Sequence, residues 1–293
     1  MNRFRHFAAI DWSGATGERH RGIAVALCGQ GHGAPALLRP GHRWSRIEVL
    51  DWLLGAMPAE TLVGIDLGQS LPFLDRGAFF PGWTRSPGDA RGLWALVEEL
   101  CAADAHLGVS SFVDHPDAAR HFRRQGKPPG AAFGGGGAQP GRGRLRVTEA
   151  AQARLGCRPT SNFNLVGAAQ VGKSSLSGMR VLHRLGHRLP VWPIDRLPPR
   201  GSVLVEIYTT IAAVAAGRAP GRSKIRDVAT LNDALCTFGS APVAGQGPID
   251  DHASDALLTA AWLRNAAHAR ALWHPEGLTP TVAATEGWTF GAP

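Results

Sequence analysis

Three apolar segments with the character of strands each carry one acidic residue at or near the end. Asp11 ends the run Phe-Ala-Ala-Ile-Asp, Asp66 lies in Thr-Leu-Val-Gly-Ile-Asp-Leu, and Glu206 lies in Ser-Val-Leu-Val-Glu-Ile-Tyr. A carboxylate in a buried strand is costly unless it is paired or bound to a metal. Because adjacent strands lie about 4.8 Å apart and their ends meet, we expect the three acids to converge.

A second group of acids begins the most regular helical segment of the chain, residues 249–270. Asp251 and Asp255 are four residues apart, and His252 and Asp255 are three apart, so each pair shares a helix face. On a helical projection Asp255 and His252 flank the apolar stripe, whereas Asp251 points further out. Asp255 is therefore the acid best placed to face the sheet. Asp250 and Asp251 also fit a first turn favoured by capping and by the helix dipole.

Several carboxylates with one imidazole form a set of hard oxygen donors, and such sets bind Mg²⁺ or Mn²⁺. Two such ions can activate a water and stabilise the leaving oxygen in phosphodiester cleavage. The predicted metal ligands are Asp11, Asp66, Asp251 and Asp255. The predicted catalytic residues are Asp11, Asp66, Glu206, His252 and Asp255.

The segments between these acids alternate between strand and helix patterns, which predicts an α/β fold with a mixed sheet. The predicted strands are 7–11, 22–28, 36–44, 61–67 and 202–208. The predicted helices begin at Ser45 and at Ser86-Pro87 and cover 148–157, 175–186, 227–238 and 249–270. The tail after Pro275 is predicted to be irregular.

A Gly, Pro and Arg-rich stretch at 123–145 cannot build a core and is predicted to be a flexible basic loop. It is either a solvated insertion or an arm that contacts phosphates. The phosphate-contact candidates are Arg142, Arg144, Arg146 and Lys173.

The charge balance favours a polyanionic partner. The chain has 31 basic and 23 acidic residues and a net charge of +8. Only three of the basic residues are lysine, and so much arginine is also typical of a GC-rich coding sequence. The four cysteines form no CxxC pair, and no apolar run has the length of a membrane span. We therefore expect a cytoplasmic protein with reduced thiols, a nucleic-acid partner (DNA or RNA) and no membrane association.

The order of these motifs resembles the ribonuclease H-like superfamily. The Ala-Ile-Asp-Trp-Ser-Gly segment, the hairpin, the helix and Val-Gly-Ile-Asp-Leu precede a final Asp-His-x-x-Asp-Ala-Leu helix. The spacing of His252 and Asp255 is similar to that of the Holliday-junction resolvase branch. More narrowly, the chain resembles DUF429, a family of predicted RNase H-like nucleases. Further pieces of this resemblance are Val205-Glu-Ile-Tyr, Arg146-Val-Thr-Glu, Gln170-Val-Gly-Lys and Glu286-Gly-Trp-Thr-Phe-Gly.

The resemblance implies one domain over 1–293, with a five-stranded mixed sheet flanked by helices and a large insertion at about 75–200. It also implies metal-dependent phosphodiester cleavage. Asp11 then matches the first-strand acid, Asp66 the fourth-strand acid, and Asp255, with His252 or Asp251, the last-helix acid. Thr209 stands where the family pattern would have proline.

Two other functions remain open from the sequence. Residues 167–174, Gly-Ala-Ala-Gln-Val-Gly-Lys-Ser, satisfy the P-loop pattern of ATP- and GTP-binding proteins. A P-loop follows a buried strand, however, and the preceding segment Ser-Asn-Phe-Asn-Leu-Val is mostly polar. The other alternative is a non-catalytic nucleic-acid-binding protein with a degenerate RNase H-like fold.

Overall fold

Six strands form one mixed sheet in the computed structural model, which describes residues 3–134, 142–167 and 171–293. The strand order is β3-β2-β1-β4-β6-β5. The strands are β1 His6–Asp11, β2 Ala24–Gly29, β3 Ala36–Leu37, β4 Thr61–Ile65, β5 Val191–Trp192 and β6 Val203–Glu206. The prediction of a mixed sheet flanked by helices is confirmed. The count of five strands is wrong, because the two-residue edge strand β5 carries too little sequence to form a pattern.

The central strands are parallel, so their carboxyl ends meet at one edge of the sheet. β1 pairs in parallel with β4, and β4 in parallel with β6. On the other side β1 pairs antiparallel with β2 as a hairpin. The predicted third strand, 36–44, is only two residues long, since a turn through Pro40 and Gly41 follows it at once. Gly41 has a φ of 77°, which glycine adopts without steric cost.

Eleven α-helices occur in the described part of the chain. They are α1 Arg46–Asp51, α2 Ala90–Leu100, α3 Ser110–Asp114, α4 Pro116–Ala119, α5 Val147–Arg154, α6 Val171–Leu185, α7 Thr209–Ala215, α8 Val228–Cys236, α9 Asp251–Ala266, α10 Arg270–Trp273 and α11 Pro280–Thr285. A π-helical turn, Trp52–Ala56, extends α1, and 3₁₀ turns occur at Ala105–Leu107 and Pro220–Arg222.

Capping side chains decide where the helices begin. Ser45 and Glu48 form a reciprocal capping box at the predicted start of α1. α2 begins later than the predicted Ser86-Pro87 start, because Asp89 is its cap and accepts the Gly92 N–H at 2.7 Å. The Ser86 hydroxyl instead accepts the N–H of Phe80 in the preceding loop.

Each face of the sheet packs against its own layer of helices. One face, which includes Ile10, meets α1, α2 and α6, and the other, which includes Ala9, meets α7, α8 and α9. Gly64 of β4 lies on the α9 face. A Cβ there would lie 2.5 Å from Ile207 Cγ2 and 3.0 Å from Leu263 Cδ1, so glycine permits the close approach of α9.

The tail after Pro275 is more ordered than predicted. It contains α11, and Trp288 and Phe290 are fully buried. The Phe290 N–H donates to the Glu206 carbonyl at 2.8 Å, which holds the tail against the end of β6. The aromatic residues at 288–290 therefore supply core contacts that the helix and strand periodicities do not reveal.

The predicted insertion, about 75–200, contributes α2 to α6 and β5. Residues 135–141 of the predicted basic loop at 123–145 lie outside the described residues. Within the described part, Arg123 is anchored, since its N–H donates to the Phe163 carbonyl and its carbonyl accepts the Leu165 N–H. No helix in the described residues has the length and apolar character needed to cross a membrane.

Candidate metal and catalytic site

Asp11 and Asp66 occupy equivalent positions on two neighbouring parallel strands. Ile10 of β1 pairs with Ile65 of β4, and the Asp66 N–H donates to the Ile10 carbonyl at 2.9 Å. Side chains alternate along a strand, so both acids lie on the same face as Ala9, the face that α9 covers. Asp11 is buried and Asp66 is half-buried.

α9 brings the second half of the site. Nδ1 of His252 donates to Oδ2 of Asp11 at 2.7 Å. Asp255, one turn further along, is 7% exposed. Gly22 borders the imidazole, and a Cβ there would lie 3.3 Å from His252 Cε1. The structure thus brings together four of the predicted site residues, Asp11, Asp66, His252 and Asp255.

Two residues that sequence reasoning did not assign complete this group. The Thr209 hydroxyl lies 3.4 Å from Oδ2 of Asp66 and 3.4 Å from Oδ2 of Asp255. The Lys224 ammonium forms an ion pair with Asp255. Thr209 begins α7 in the position where the family pattern has proline, and its side chain instead connects two acids. For Lys224 the one available signal was its rarity among 28 arginines.

The carboxylates of Asp11, Asp66 and Asp255 are poorly solvated and repel one another. Burial raises the pKa of Asp66 well above its ordinary value, and the charges of Asp11 and Asp255 raise it further. Burial likewise raises the pKa of Asp255 to about 6, although Lys224 opposes the rise. Burial also raises the pKa of Asp11, against the opposing effect of its bond to His252. That hydrogen bond raises the pKa of His252.

Glu206 does not join this group in the predicted way. It pairs with Ile65, so its side chain leaves the opposite face of the sheet from Asp11 and Asp66. Arg146 binds both of its oxygens, with Nη2 to Oε1 at 2.6 Å and Nη1 to Oε2 at 2.8 Å. The Gln69 N–H adds a third bond at 2.7 Å. Glu206 nevertheless lines the same cleft as Asp11 and Asp66, and its charge helps to raise the pKa of Asp66. Its carboxylate is already bound by Arg146, so it is not a free ligand in this arrangement.

Arg144 and Arg146 do not offer free guanidinium groups to an external phosphate. Arg146 is 2% exposed and divides its bonds between Glu149 and Glu206. Arg144 is 1% exposed and pairs with Asp75 at 2.6 Å, while its other N–H groups donate to backbone carbonyls. The interpretation of this stretch as a phosphate-contacting arm therefore does not fit these two residues.

The remaining predicted residues lie closer to solvent. Arg142 is exposed and Lys173 is half-buried near the start of α6. Asp251 is half-buried. The carboxylates of Asp250 and Asp251 and the ring of His252 each offer a ligand atom, and these atoms lie within 4.8 Å of one another. Asp251 therefore lies next to His252 and lines the same cleft as Asp11 and Asp66.

A cleft of about 550 Å³ opens over these groups. Its lining includes Asp11, Asp66, His252 and Lys224, with Ser174 and Ser175 of α6 and the ion-paired Arg146 and Glu206. This volume falls within the roughly 300–1,000 Å³ range of ligand pockets. Trp12, which could have stacked on a base, is buried and donates to the Ser174 carbonyl at 3.1 Å.

The P-loop-like segment 167–174 is only partly described, because 168–170 lie outside the described residues. Over the described residues 161–167, no strand precedes the segment, and Asn164 makes one isolated bridge to Arg123. The buried strand that a P-loop requires is therefore missing from this stretch.

The central acids offer donor atoms of the type that a divalent cation binds, whereas the one group of three described residues whose ligand atoms all lie within 4.8 Å of one another is Asp250, Asp251 and His252. Asp11, Asp66 and Asp255 supply hard oxygen ligands, and within the described residues only Lys224 and His252 bring compensating positive charge into direct contact with them. Comparisons of the chain with protein-family models, with curated proteins and with solved structures give no match. The function must therefore be inferred from the residues of the site and their geometry.

Proposed function

We propose that this chain is a metal-dependent nuclease with an RNase H-like fold, which hydrolyses a phosphodiester of DNA or RNA. The observation that carries the proposal is a group of three acids whose pKa values are raised by burial. Asp11 and Asp66 line one cleft, and Asp255 contacts Thr209 and Lys224, which line the same cleft. Lys224 and His252 balance the charge of these three carboxylates only in part, and a bound cation would lower the remaining cost of holding them together.

Asp11, Asp66 and Asp255 would hold Mg²⁺ or Mn²⁺, with Asp251 as a further ligand at the edge of the cleft. The bound ions would activate the attacking water and neutralise charge on the leaving oxygen. Nδ1 of His252 is fixed by Asp11, so Nε2 is the ring atom left to move a proton. The raised pKa of His252 favours the imidazolium, which can donate that proton to the leaving oxygen.

Thr209 and Lys224 have positioning and electrostatic roles in this proposal. The Thr209 hydroxyl holds Asp66 and Asp255 in a common orientation. Lys224 neutralises part of the acid cluster before substrate arrives, and its side chain is about half exposed. An ammonium at this point can turn to a phosphate oxygen of the substrate once a cation takes over Asp255.

Two further features support a nucleic-acid substrate. The net charge of +8 favours a polyanion as partner. Metal ions bound by the acid cluster would allow the phosphate of such a substrate to bind beside the carboxylates. The resemblance of the motif order to DUF429 agrees with the same class of reaction. Because a fold does not determine a function, the site residues carry more weight than the resemblance.

A non-catalytic nucleic-acid-binding protein is the second candidate, favoured by the ion pair between Lys224 and Asp255. That pair partly neutralises the cluster without any metal. This candidate predicts salt-sensitive nucleic-acid binding with no turnover.

Calorimetric titration with Mn²⁺ and then Mg²⁺ tests the proposal on the parent, on Asp11→Asn and on Asp233→Asn. Asp233 is an exposed acid of α8, so its variant makes the same charge change away from the site. We expect Asp11→Asn to lose metal binding and metal-dependent cleavage of DNA or RNA while its circular dichroism stays native. The control should match the parent. Unchanged cleavage by Asp11→Asn would contradict the assignment.

A further inference from the structure

A second pocket, of about 420 Å³, lies on the other side of His252. Its walls come from β2, from β3 and the loop that follows it, and from the start of α9. His252 lines both this pocket and the acid cleft. The imidazole is therefore a wall residue that the two sites share, and its Nδ1 is hydrogen-bonded to Asp11.

The second pocket is basic where the first is acidic. Arg21, Arg39 and Arg43 line it, and its one acidic residue is Asp250. The Asp250 carboxylate accepts the His252 N–H as the cap of α9, at 3.0 Å. Among the described residues, no carboxylate lies within 4.0 Å of the guanidinium of Arg21 or Arg43, and both arginines are exposed. These two cations are thus available to an external anion.

Arg39 has a different place, as a fixed part of the wall. Its guanidinium lies 4.8 Å from the centre of the Trp44 ring and 3.5 Å from Glu48. Glu48 also binds Arg19 and His42, so three basic groups surround this single acid.

The backbone fixes Arg39 further. Its φ is 50°, an uncommon value for a residue other than glycine, and its carbonyl accepts the His42 N–H at 3.0 Å. Such a conformation persists only where the surroundings enforce it. The loop therefore presents its cations from a defined backbone.

We infer that this pocket binds a backbone phosphate of the nucleic acid next to the phosphodiester held at the acid cleft, with Arg21 and Arg43 as its contacts. This inference rests on the proposed function. It narrows the substrate from any phosphodiester of DNA or RNA to a strand with at least two successive phosphates. Guanidinium groups suit phosphate oxygens because they donate paired N–H bonds. Arg21 and Arg43 would add to the exposed Lys224 and Arg158, which line the acid cleft.

The test compares Arg21→Ala/Arg43→Ala with Arg196→Ala/Arg200→Ala. The control pair is also exposed, but it lies between β5 and β6, at the opposite edge of the sheet from β3. The probe is a fluorescein-labelled single strand of roughly 20 nucleotides, as DNA and as RNA, with binding followed by anisotropy across a KCl series. EDTA is present throughout, so cleavage does not enter the measurement.

We expect Arg21→Ala/Arg43→Ala to weaken binding about tenfold and to reduce the slope of log K against log salt by about 1.4, the share of two phosphate contacts on a single strand. The control pair should keep the parent slope. The strand that the parent binds more tightly identifies the backbone chemistry that the pocket prefers.

Equal slopes for the two variant pairs, or no binding of either strand by the parent, would overturn the inference. The proposed function fails separately. If the arginine pair changes the slope but the parent does not cleave with Mn²⁺, the phosphate pocket stands and the nuclease proposal falls. If the parent cleaves and the slopes are equal, the nuclease proposal stands and the phosphate pocket is rejected.

Discussion

His252 and Asp11 are joined by a 2.7 Å hydrogen bond across 241 residues of sequence. The bond connects the end of β1 to the first turn of α9 and places the imidazole between an acidic cleft and a basic pocket. A charged bond of this kind both orients the ring and stabilises the docking of α9 on the sheet.

The coupling between these residues can be measured by a double-mutant cycle of Asp11→Asn and His252→Ala. We expect a coupling energy of about 1 to 3 kcal/mol in urea unfolding without metal, because Asp11→Asn removes the charge of the acceptor and His252→Ala removes the donor. A matched pair without contact is Asp233→Asn with His252→Ala. The bond has no energetic role if the two site variants prove additive to within about 0.5 kcal/mol.

Lys224→Met should strengthen metal binding while it weakens turnover. In the parent a divalent cation must compete with the ammonium for Asp255. Without that competitor we expect Mn²⁺ to bind about tenfold more tightly, which adds about 1.4 kcal/mol to the stabilisation by saturating metal. Thermal unfolding with and without Mn²⁺ measures this.

Lys127→Met is the control for this experiment, since Lys127 is an exposed lysine in the loop after α4. If Mn²⁺ raises the unfolding temperature of Lys224→Met by no more than that of Lys127→Met, Lys224 does not compete with the metal for Asp255.

Arg146→Met tests whether this arginine is structural. It would leave Glu149 and Glu206 buried without their shared cation. We expect a loss of about 3 to 5 kcal/mol in the free energy of unfolding, as is typical when one partner of a buried ion pair is removed. Arg142→Met, on an exposed neighbour, should change it by about 0.5 kcal/mol or less. A small effect of Arg146→Met on unfolding, with weaker nucleic-acid binding, would restore the phosphate-contact role.

The burial of His20 predicts that the folded protein loses stability at low pH. Both of its ring nitrogens are buried without a hydrogen-bond partner among the described residues. Burial, with the nearby charges of Arg46 and His106, lowers the pKa of His20 to about 4. The folded state therefore binds a proton less readily than the unfolded chain, whose histidine has a pKa near 6.5. The contribution that neutral His20 makes to the free energy of unfolding is fully present above about pH 6.5 and is lost as the pH falls toward 4.

We expect His20→Leu to remove about 1 to 3 kcal/mol of this acid sensitivity between pH 7 and 4, measured as the pH dependence of the urea midpoint. His187→Leu, on an exposed histidine after α6, should leave the pH dependence unchanged. A parental pH dependence in His20→Leu would mean that His20 does not titrate in this way.

The sequence was sufficient for the residues whose pattern is local. Asp11 and Asp66 end apolar runs, and Asp255 follows helical spacing, so their types and elements were predictable. Glu206 has the same pattern as Asp66, yet it points to the opposite face, because the register between β4 and β6 is set by tertiary pairing and not by the strand itself.

Loop residues were harder to predict. Lys224 belongs to no helix or strand, so no periodicity places it beside Asp255. Arg144 and Arg146 belong to an arginine-rich stretch that has the composition of a solvated loop. Their burial depends on acids that are distant in sequence, such as Asp75 and Glu206. The composition of a segment indicates whether it can be solvated, but it does not identify which distant residues will pair with its side chains in the folded protein.

The separation of Asp11 from α9 has a consequence for synthesis of the protein. In a nascent chain β1, β2 and β4 are synthesised before α9, and His252 follows Asp11 by 241 residues. Until α9 packs on β1 and β2, the growing chain holds two acids of the site and lacks the partner of Asp11. Closing so long a loop is a slow, late event in folding. The site therefore forms only after α9 has packed on the sheet, and a chain that stops before α9 would carry the strands of the site without its chemistry.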